Sequence, residues 1–303
     1  MDLRQLEILQ AIAETGSFTA CGRKLHVSQS AISRQIALLE EELGEPLFLR
    51  VGRKVRMTPA AEALVQLGQR VSLDVRDTLA SVTDRTRELR GTLRLSGGMT
   101  VCLYIFPTLV KQLRRSHPKL DVKMMVATAG RSVEQIRAGH VDAGLLTLPV
   151  EEADLVTLPV LREELLLVTM PGHPLAKRKK ITAQDLAGEP FVAFEAGSGT
   201  RRVIDRFFLS ENIESNIVME TENVEIIKAM VASGIGSTLI SNHAIDREVK
   251  AGTLIAHHIQ ARPLVRETGW VYLKANRVPR KISEMIRVLD ELLPKMGLTQ
   301  PRD

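Results

Sequence analysis

Four polar side chains, Gln29, Ser30, Ser33 and Arg34, fall on the face of a short helical stretch that points away from its apolar stripe of Ile32, Ile36, Leu39 and Leu43. Gln and Arg can make paired hydrogen bonds to adenine and guanine edges. The N-terminal end of a recognition helix is where base contacts are made. Ser28, at the start of this stretch, can cap the helix and counts with them as a DNA-contact candidate. Downstream, Arg50, Arg53, Lys54 and Arg56 put four bases in seven positions, with no acid between Glu45 and Glu62. Such a cluster suits phosphate or minor-groove contact; the alternative is a solvated basic turn.

A second group of hydroxyls recurs at strand-to-helix turns. Met99 and Thr100 open a helix after Gly97-Gly98, and Ser198, Gly199 and Thr200 open another within FEAGSGTRR. Thr147 follows the strand 143–146, and Thr128 follows the strand 121–127. Free backbone N–H groups and the helix dipole make such helix starts anion-friendly. Together these residues could clamp a carboxylate, sulfate or phosphate. Each hydroxyl could also be a simple helix cap, and the two roles are compatible. Arg201 could neutralise the anion, or lie with Arg202 on an exposed helix face.

Other chemistries lack their residues. Seven histidines show no metal spacing, and adjacent His257 and His258 point to opposite faces of a strand. No nucleophile elbow, Walker loop or HExxH occurs. Cys21 and Cys102 alone cannot build a disulfide framework or a cysteine-rich zinc site. The ten aromatic residues are too few for extensive base stacking on single strands. The expectation is no enzyme activity, no metal and no cofactor. The N-terminus has acids inside its apolar pattern, and no apolar run reaches membrane-spanning length. The expected setting is therefore cytoplasmic, with no membrane partner.

The elements that must position these residues follow from periodicity. Leu3, Leu6, Leu9 and Ile12 recur at helical spacing, and Gly16 stops that helix. Ser17 can cap a short helix 18–25, and Ser28 a third that Gly44 ends. Cys21, Leu25, Val27, Ile32 and Ile36 supply a core, and Gly22 sits where two helices approach closely. This is a helix-turn-helix, followed by a two-stranded wing turning at Gly52. Residues 60–90 hold no Pro and one Gly, with Leu64, Val71, Val75, Leu79 and Val82 as a stripe near coiled-coil spacing. A helix that long would span about 46 Å and cannot bury the stripe alone. From Gly91 onward strands and helices alternate, which argues α/β with parallel strands. The strands expected include 93–96, 121–127, 141–146, 164–170, 191–195, 217–220, 235–240 and 267–273. One helix is expected over 100–115 and another over 279–293.

The segment GSFTACGRKLHVSQSAISRQIALLEEELGEPLFLRVGRKVRMTPAAEAL resembles the N-terminal signature of the LysR-type transcriptional regulators. It departs at Cys21 and Gly22, where the family commonly has Ala-Ala, and at Ala61, where Gly is usual. None of these removes a DNA-contacting residue. The resemblance implies an all-α winged helix-turn-helix over 1–58, a dimerising linker helix over 59–90 and an effector-binding domain over 91–303. That last domain would be a two-lobed, periplasmic-binding-protein-like α/β fold. Lobe I would comprise 91–162 and 268–303, and lobe II 163–267, with a hinge near 163 and 267. It also implies contact with promoter DNA and RNA polymerase, assembly as a homodimer or homotetramer, and a small effector at Met99, Thr100, Thr128, Thr147, Ser198, Gly199, Thr200 and Arg201. A different class, a binding protein or enzyme built on 91–303, has no catalytic constellation to support it.

Net charge is +5, which by itself would suggest a polyanionic partner. Residues 1–90 hold 13 bases and 12 acids, so the total does not mark the DNA-binding region. The informative charge is local, at Arg34 and at 50–56.

Overall fold

The computed structural model describes residues 1–51, 54–83, 88–260, 263–275 and 278–298; the side chains at 50, 51, 54, 55, 70, 73, 74 and 76–83 are outside the description. The chain forms two compact units that divide near residue 88.

The first unit begins with α1 (Leu3–Thr15), α2 (Phe18–Leu25) and α3 (Gln29–Leu43). Asp2 caps α1 by accepting from the Gln5 N–H at 2.8 Å, and Gln5 returns the bond to the Asp2 N–H at 2.9 Å. Ser17 and Ser28 cap α2 and α3 as expected, and Gly16 and Gly44 end α1 and α3 in the left-handed region, with φ of 65° and 69°. Three apolar expectations fail. Leu3 is exposed, and Ile8 fills the core in its place; Leu43, at the end of the α3 stripe, is exposed; Val27 is also exposed, because the chain turns there after His26 takes φ 56°. Gly22 does hold a close approach: a Cβ there would lie 2.7 Å from the Val27 carbonyl oxygen.

The wing is the antiparallel pair β1 (Phe48–Val51) and β2 (Lys54–Met57). Glu40 on α3 anchors its entry, accepting from the backbone N–H of Leu47 at 2.7 Å and Phe48 at 3.1 Å. Helix α4 (Pro59–Thr83) follows, its first turn fixed by the Thr58 hydroxyl. It packs on α1 with Gly68 against Leu6 and Gln10. The expected helix over 60–90 is not reached at its end: residues 88–90 are not helical. The Leu89 N–H donates to the Nδ1 of buried His117 at 3.1 Å, and Gly91 begins the next strand at φ 82°.

The second unit contains two lobes. In the first, β3 (Gly91–Gly97) pairs in parallel with β4 (Leu120–Val126) and β5 (Ala143–Thr147). Helices α5 (Met99–Tyr104) and α6 (Phe106–Ser116) connect β3 to β4, and α7 (Ala129–Arg137) connects β4 to β5. The single helix expected over 100–115 is broken at Ile105, because Pro107 has no N–H to continue the ladder. Strand β6 (Leu155–Thr169) runs 15 residues through both lobes. The sequence predicts a strand only over 164–170, and the observed one begins nine residues earlier. Pro159 is tolerated where the pairing with the later strand slips by one residue.

The second lobe holds β7 (Pro190–Phe194), α8 (Gly199–Ser210), β8 (Asn216–Thr221), α9 (Val224–Ala232), β9 (Thr238–Ser241), α10 (Asp246–Lys250) and β10 (Ile255–His257). Strands β9 and β10 flank the second half of β6, and β7 pairs in parallel with β8. Strand β11 (Val265–Leu273) returns to the first lobe between β6 and β5, and α11 (Arg280–Leu292) closes it. The β6 pairing changes from β11 to β9 and β10 at Glu164/Leu165, so β6 passes between the lobes as one continuous strand and β11 begins beside that passage at Val265.

The first lobe has a core on each face of its sheet. Phe106, Leu109 and Leu113 of α6 and Met285 and Leu289 of α11 pack with Leu93, Leu95 and Trp270 on one face. Val133 and Ile136 of α7 pack with Leu146 and Val271 on the other. The second lobe has one core, in which Ile204 and Phe208 of α8 and Ile227 and Val231 of α9 meet Leu167, Val192 and Leu239.

Candidate functional site

Between the lobes lies a cavity of about 60 Å³, room for several waters or a small ligand. Strands β3, β4 and β5 all deliver their C-terminal ends to it from the first lobe, as the parallel arrangement demands. Met99 and Thr100 line it from the start of α5, Thr128 from the end of β4 and Thr147 from the end of β5. Ser198, Gly199 and Thr200 line it from the start of α8. Ser198 caps α8 by accepting from the Arg201 N–H at 3.2 Å, and Thr128 accepts from the Arg131 N–H at 3.4 Å. The hydroxyls of Thr100 and Thr147 have no partner among the described residues.

One lining residue comes from neither helix start. Arg266 of β11 is 4% exposed and lies opposite Glu163 of β6 in the strand register. Its Nη2 donates to Glu163 Oε2 at 2.6 Å, and its Nη1 donates to the Thr200 hydroxyl oxygen at 2.7 Å. Ser241 of β9 donates to the other Glu163 oxygen at 2.5 Å. Burial pushes the Glu163 carboxyl up, but the Arg266 charge and the hydrogen bonds from Ser241 and Arg266 outweigh it, and the net direction is down. The pair is ionised and buried at the passage between lobes.

Two matches settle the family. The profile described as LysR substrate binding domain matches residues 86–294, and that described as bacterial regulatory helix-turn-helix protein, lysR family, matches residues 3–62. The chain belongs to the LysR family. A probable RuBisCO transcriptional regulator of Trichormus variabilis is 31% identical to it over 97% of this chain and 88% of that protein. A full-length OxyR variant from Pseudomonas aeruginosa has a TM-score of 0.75 with it at 24% identity, covering 100% of this chain and 99% of the other. Full-length CbnR in complex with its target DNA has a TM-score of 0.63 at 22% identity, over 96% and 99% of the two chains. These structures share the fold: a helical helix-turn-helix and a two-lobed α/β domain. As a LysR-type protein, the chain is a DNA-binding regulator with a small-molecule cleft, and not an enzyme.

In this LysR-family chain the residues expected at DNA lie together on α3. Ser28, Gln29, Ser30 and Arg34 are exposed and Ser33 is half-buried. The Ser28 hydroxyl is engaged as the cap, accepting from the Ala31 N–H at 3.2 Å, and also touches Ser30. Gln29 donates to Ser33 at 2.8 Å, while Arg34 has no partner among the described residues. Arg53 and the side chains of Arg50 and Lys54 lie outside the described residues, and Arg56 on β2 is exposed.

In the cleft, seven of the eight expected residues line the cavity and Arg201 does not. Its guanidinium turns back along the second lobe to Asp205 and Glu220, both at 2.7 Å, and to the Phe194 carbonyl at 3.0 Å. Two carboxylates, one a helical turn along α8 and one on β8, hold it there. The cation at the site is instead Arg266, which the sequence reading missed. Its signal was available: LREE and VRET break two apolar strands with charge at the expected hinge, and a buried strand tolerates an arginine only beside a carboxylate. Cys102 packs as a small core residue: its thiol contacts the Gly97 carbonyl at 3.5 Å, and burial pushes it up to about 11. Among the described residues no helix is long and apolar enough to cross a membrane.

Proposed function

We propose that this LysR-type regulator grips double-stranded promoter DNA with α3 and the wing, and that a small anion in the interlobe cleft alters that grip. The anion is a carboxylate or an inorganic oxyanion. Gln29, Ser30, Ser33 and Arg34 face the major groove with Ser28 at the helix start, and Arg50, Arg53 and Lys54 meet phosphates. The protein acts as a homodimer or homotetramer through the linker helix, where Val75 stands 44% exposed on α4, and RNA polymerase is the downstream partner. A two-fold dimer reads an inverted repeat with half-sites about one helical turn, or a multiple, apart.

The observation that carries the effector reading is the convergence of hydroxyls from both lobes on one cavity, with Thr100 and Thr147 unpartnered and the N-terminus of α8 facing it. A ligand bridging the lobes binds two lobe arrangements unequally, and by linkage shifts whichever DNA-bound state accompanies the preferred one.

A thermal-shift screen of the full-length protein against small carboxylates, amino acids and inorganic anions tests this, since a ligand specific for the folded state raises the melting temperature. Thr100→Val and Thr200→Val abolish the response and leave DNA binding intact. Unchanged response in both variants removes the cleft assignment.

A further inference from the structure

We propose that Arg266 biases the hydrogen-bond polarity of the cleft, turning the Thr200 hydroxyl proton toward the ligand and so favouring an oxyanion group over its neutral amide counterpart. The inference rests on the reading of the cavity as the effector site and concerns what that site accepts.

A threonine hydroxyl can donate one hydrogen bond and accept two, so alone it is indifferent to the polarity of its ligand. Arg266 removes the indifference. A guanidinium has donors and no acceptor, so its 2.7 Å contact with the Thr200 oxygen occupies a lone pair of that oxygen. The Thr200 proton must then point elsewhere, and no protein acceptor meets it among the described residues. Thr200 itself lines the cavity at 6% exposure.

The two Nη groups of Arg266 are engaged by Thr200 and Glu163, so Arg266 acts on the ligand through Thr200. Glu163 holds the guanidinium in this orientation from one side, and Ser241 holds Glu163. Since the Glu163 charge offsets that of Arg266, the site selects by a directed donor more than by net charge. The one acid on the lining, Glu222, is exposed at the rim, where water screens it. A carboxylate or sulfate group presents acceptors only and meets the Thr200 proton in any orientation. A primary amide replaces one acceptor with an N–H₂, which faces a donor in one of its two positions.

The test measures thermal shift and calorimetric affinity of the full-length protein with sulfate and with the matched pairs propionate and propionamide, and succinate and succinamide. Sulfate separates an inorganic ligand from the carboxylates. Thr128→Trp, which fills the cavity, identifies binding that occurs in the cleft. The expected result is stabilisation by at least one of the anions and not by its amide, lost in Thr128→Trp. Thr200→Ser keeps this preference, and Thr200→Val weakens the anion by about tenfold, the scale of a lost hydrogen bond to a charged group. Arg266→Gln leaves a buried carboxylate unpaired and endangers folding, so the double variant Arg266→Gln with Glu163→Gln is used; in it the acid and amide bind alike. Equal binding of acid and amide to the unaltered protein overturns the proposal. So does cleft binding that neither Thr200→Val nor the double variant changes. If no compound shows binding sensitive to Thr128→Trp, the cleft reading itself fails and takes this inference with it.

Discussion

A Cβ placed on Gly199 would lie 2.4 Å from the Cβ of Thr147, closer than any two such carbons stand. The first residue of α8 in one lobe thus rests directly on the last residue of β5 in the other. Only glycine allows that approach, and the approach brings the helix start to the cavity. Gly199→Ala therefore forces the lobes to shift. The expected cost is about 1–3 kcal/mol, the usual scale of overpacking, together with loss of ligand stabilisation. Adding Thr147→Gly relieves the clash and restores stability. Denaturant unfolding and thermal shift on both variants check this; equal stability of Gly199→Ala and the parent contradicts it.

Gly22 offers a contest between two effects of opposite sign. Helix propensity favours Gly22→Ala by about 1 kcal/mol. Packing opposes it, because the new Cβ would meet the Val27 carbonyl oxygen at 2.7 Å, and backbone gives way less readily than a side chain. The net expectation is destabilisation of the first unit and weaker operator binding, read by urea unfolding and a gel-shift titration. A more stable variant with full binding shows that the α2–α3 turn opens at little cost.

Tyr104 of the first lobe reaches across to α9. Its hydroxyl bonds Glu225 and accepts from Lys228 Nζ at 2.9 Å; Lys228, 6% exposed, also meets Glu248 at 2.7 Å and the Ala244 carbonyl at 3.1 Å. Tyr104→Phe removes the one polar atom that the first lobe contributes to this cluster among the described residues. Stability falls by about 1–2 kcal/mol, and amide exchange quickens in α5 and α9. Unchanged exchange in both helices shows that the contact holds nothing together.

Acid probes the depressed carboxyls, among them Glu163 and Glu284. Glu163 is lowered as described, and Glu284 is pushed down to about 2, first by its hydrogen bond with Arg287 and, against burial, by His117. Groups lowered on folding bind fewer protons than in the unfolded chain, so their contribution is complete above an unfolded value of about 4.5 and disappears as pH falls toward the folded value. Stability measured from about pH 6 down to pH 3 should decline, and Glu284→Gln should flatten the slope. A parallel slope in the variant assigns the decline to other groups.

Breaking the Glu163–Arg266 pair from one side should cost more than any surface change. Glu163→Gln leaves a guanidinium at 4% exposure without its counter-charge, a loss of about 3–5 kcal/mol. Arg137, bonded to Glu152 and Asp154 at the surface, is the contrast: Asp154→Asn should leave stability nearly unchanged, because water screens an exposed pair. Comparable losses in the two variants contradict the burial argument.

Local chemistry in the sequence determined a good deal. Ser17, Ser28 and Ser198 are caps, and Gly16 and Gly44 are stops, because capping needs only neighbours along the chain. The same locality placed Met99, Thr100, Thr128, Thr147 and Thr200 at strand-to-helix turns, and a parallel sheet necessarily gathers such turns at one edge. Tertiary structure decided what those turns meet. Arg201 has a helix-start position as suggestive as that of Thr200, yet Glu220, brought alongside on β8, draws it out of the cleft. The charge that interrupts LREE and VRET marks the hinge, but it does not separate buried Arg266 from exposed Arg162. The burial of Arg266 depends on the register that sets it opposite Glu163, a residue 103 positions earlier. Pairing across that distance is settled by how β6 and β11 share one sheet, so the charge at the cleft became visible only when the two strands were side by side.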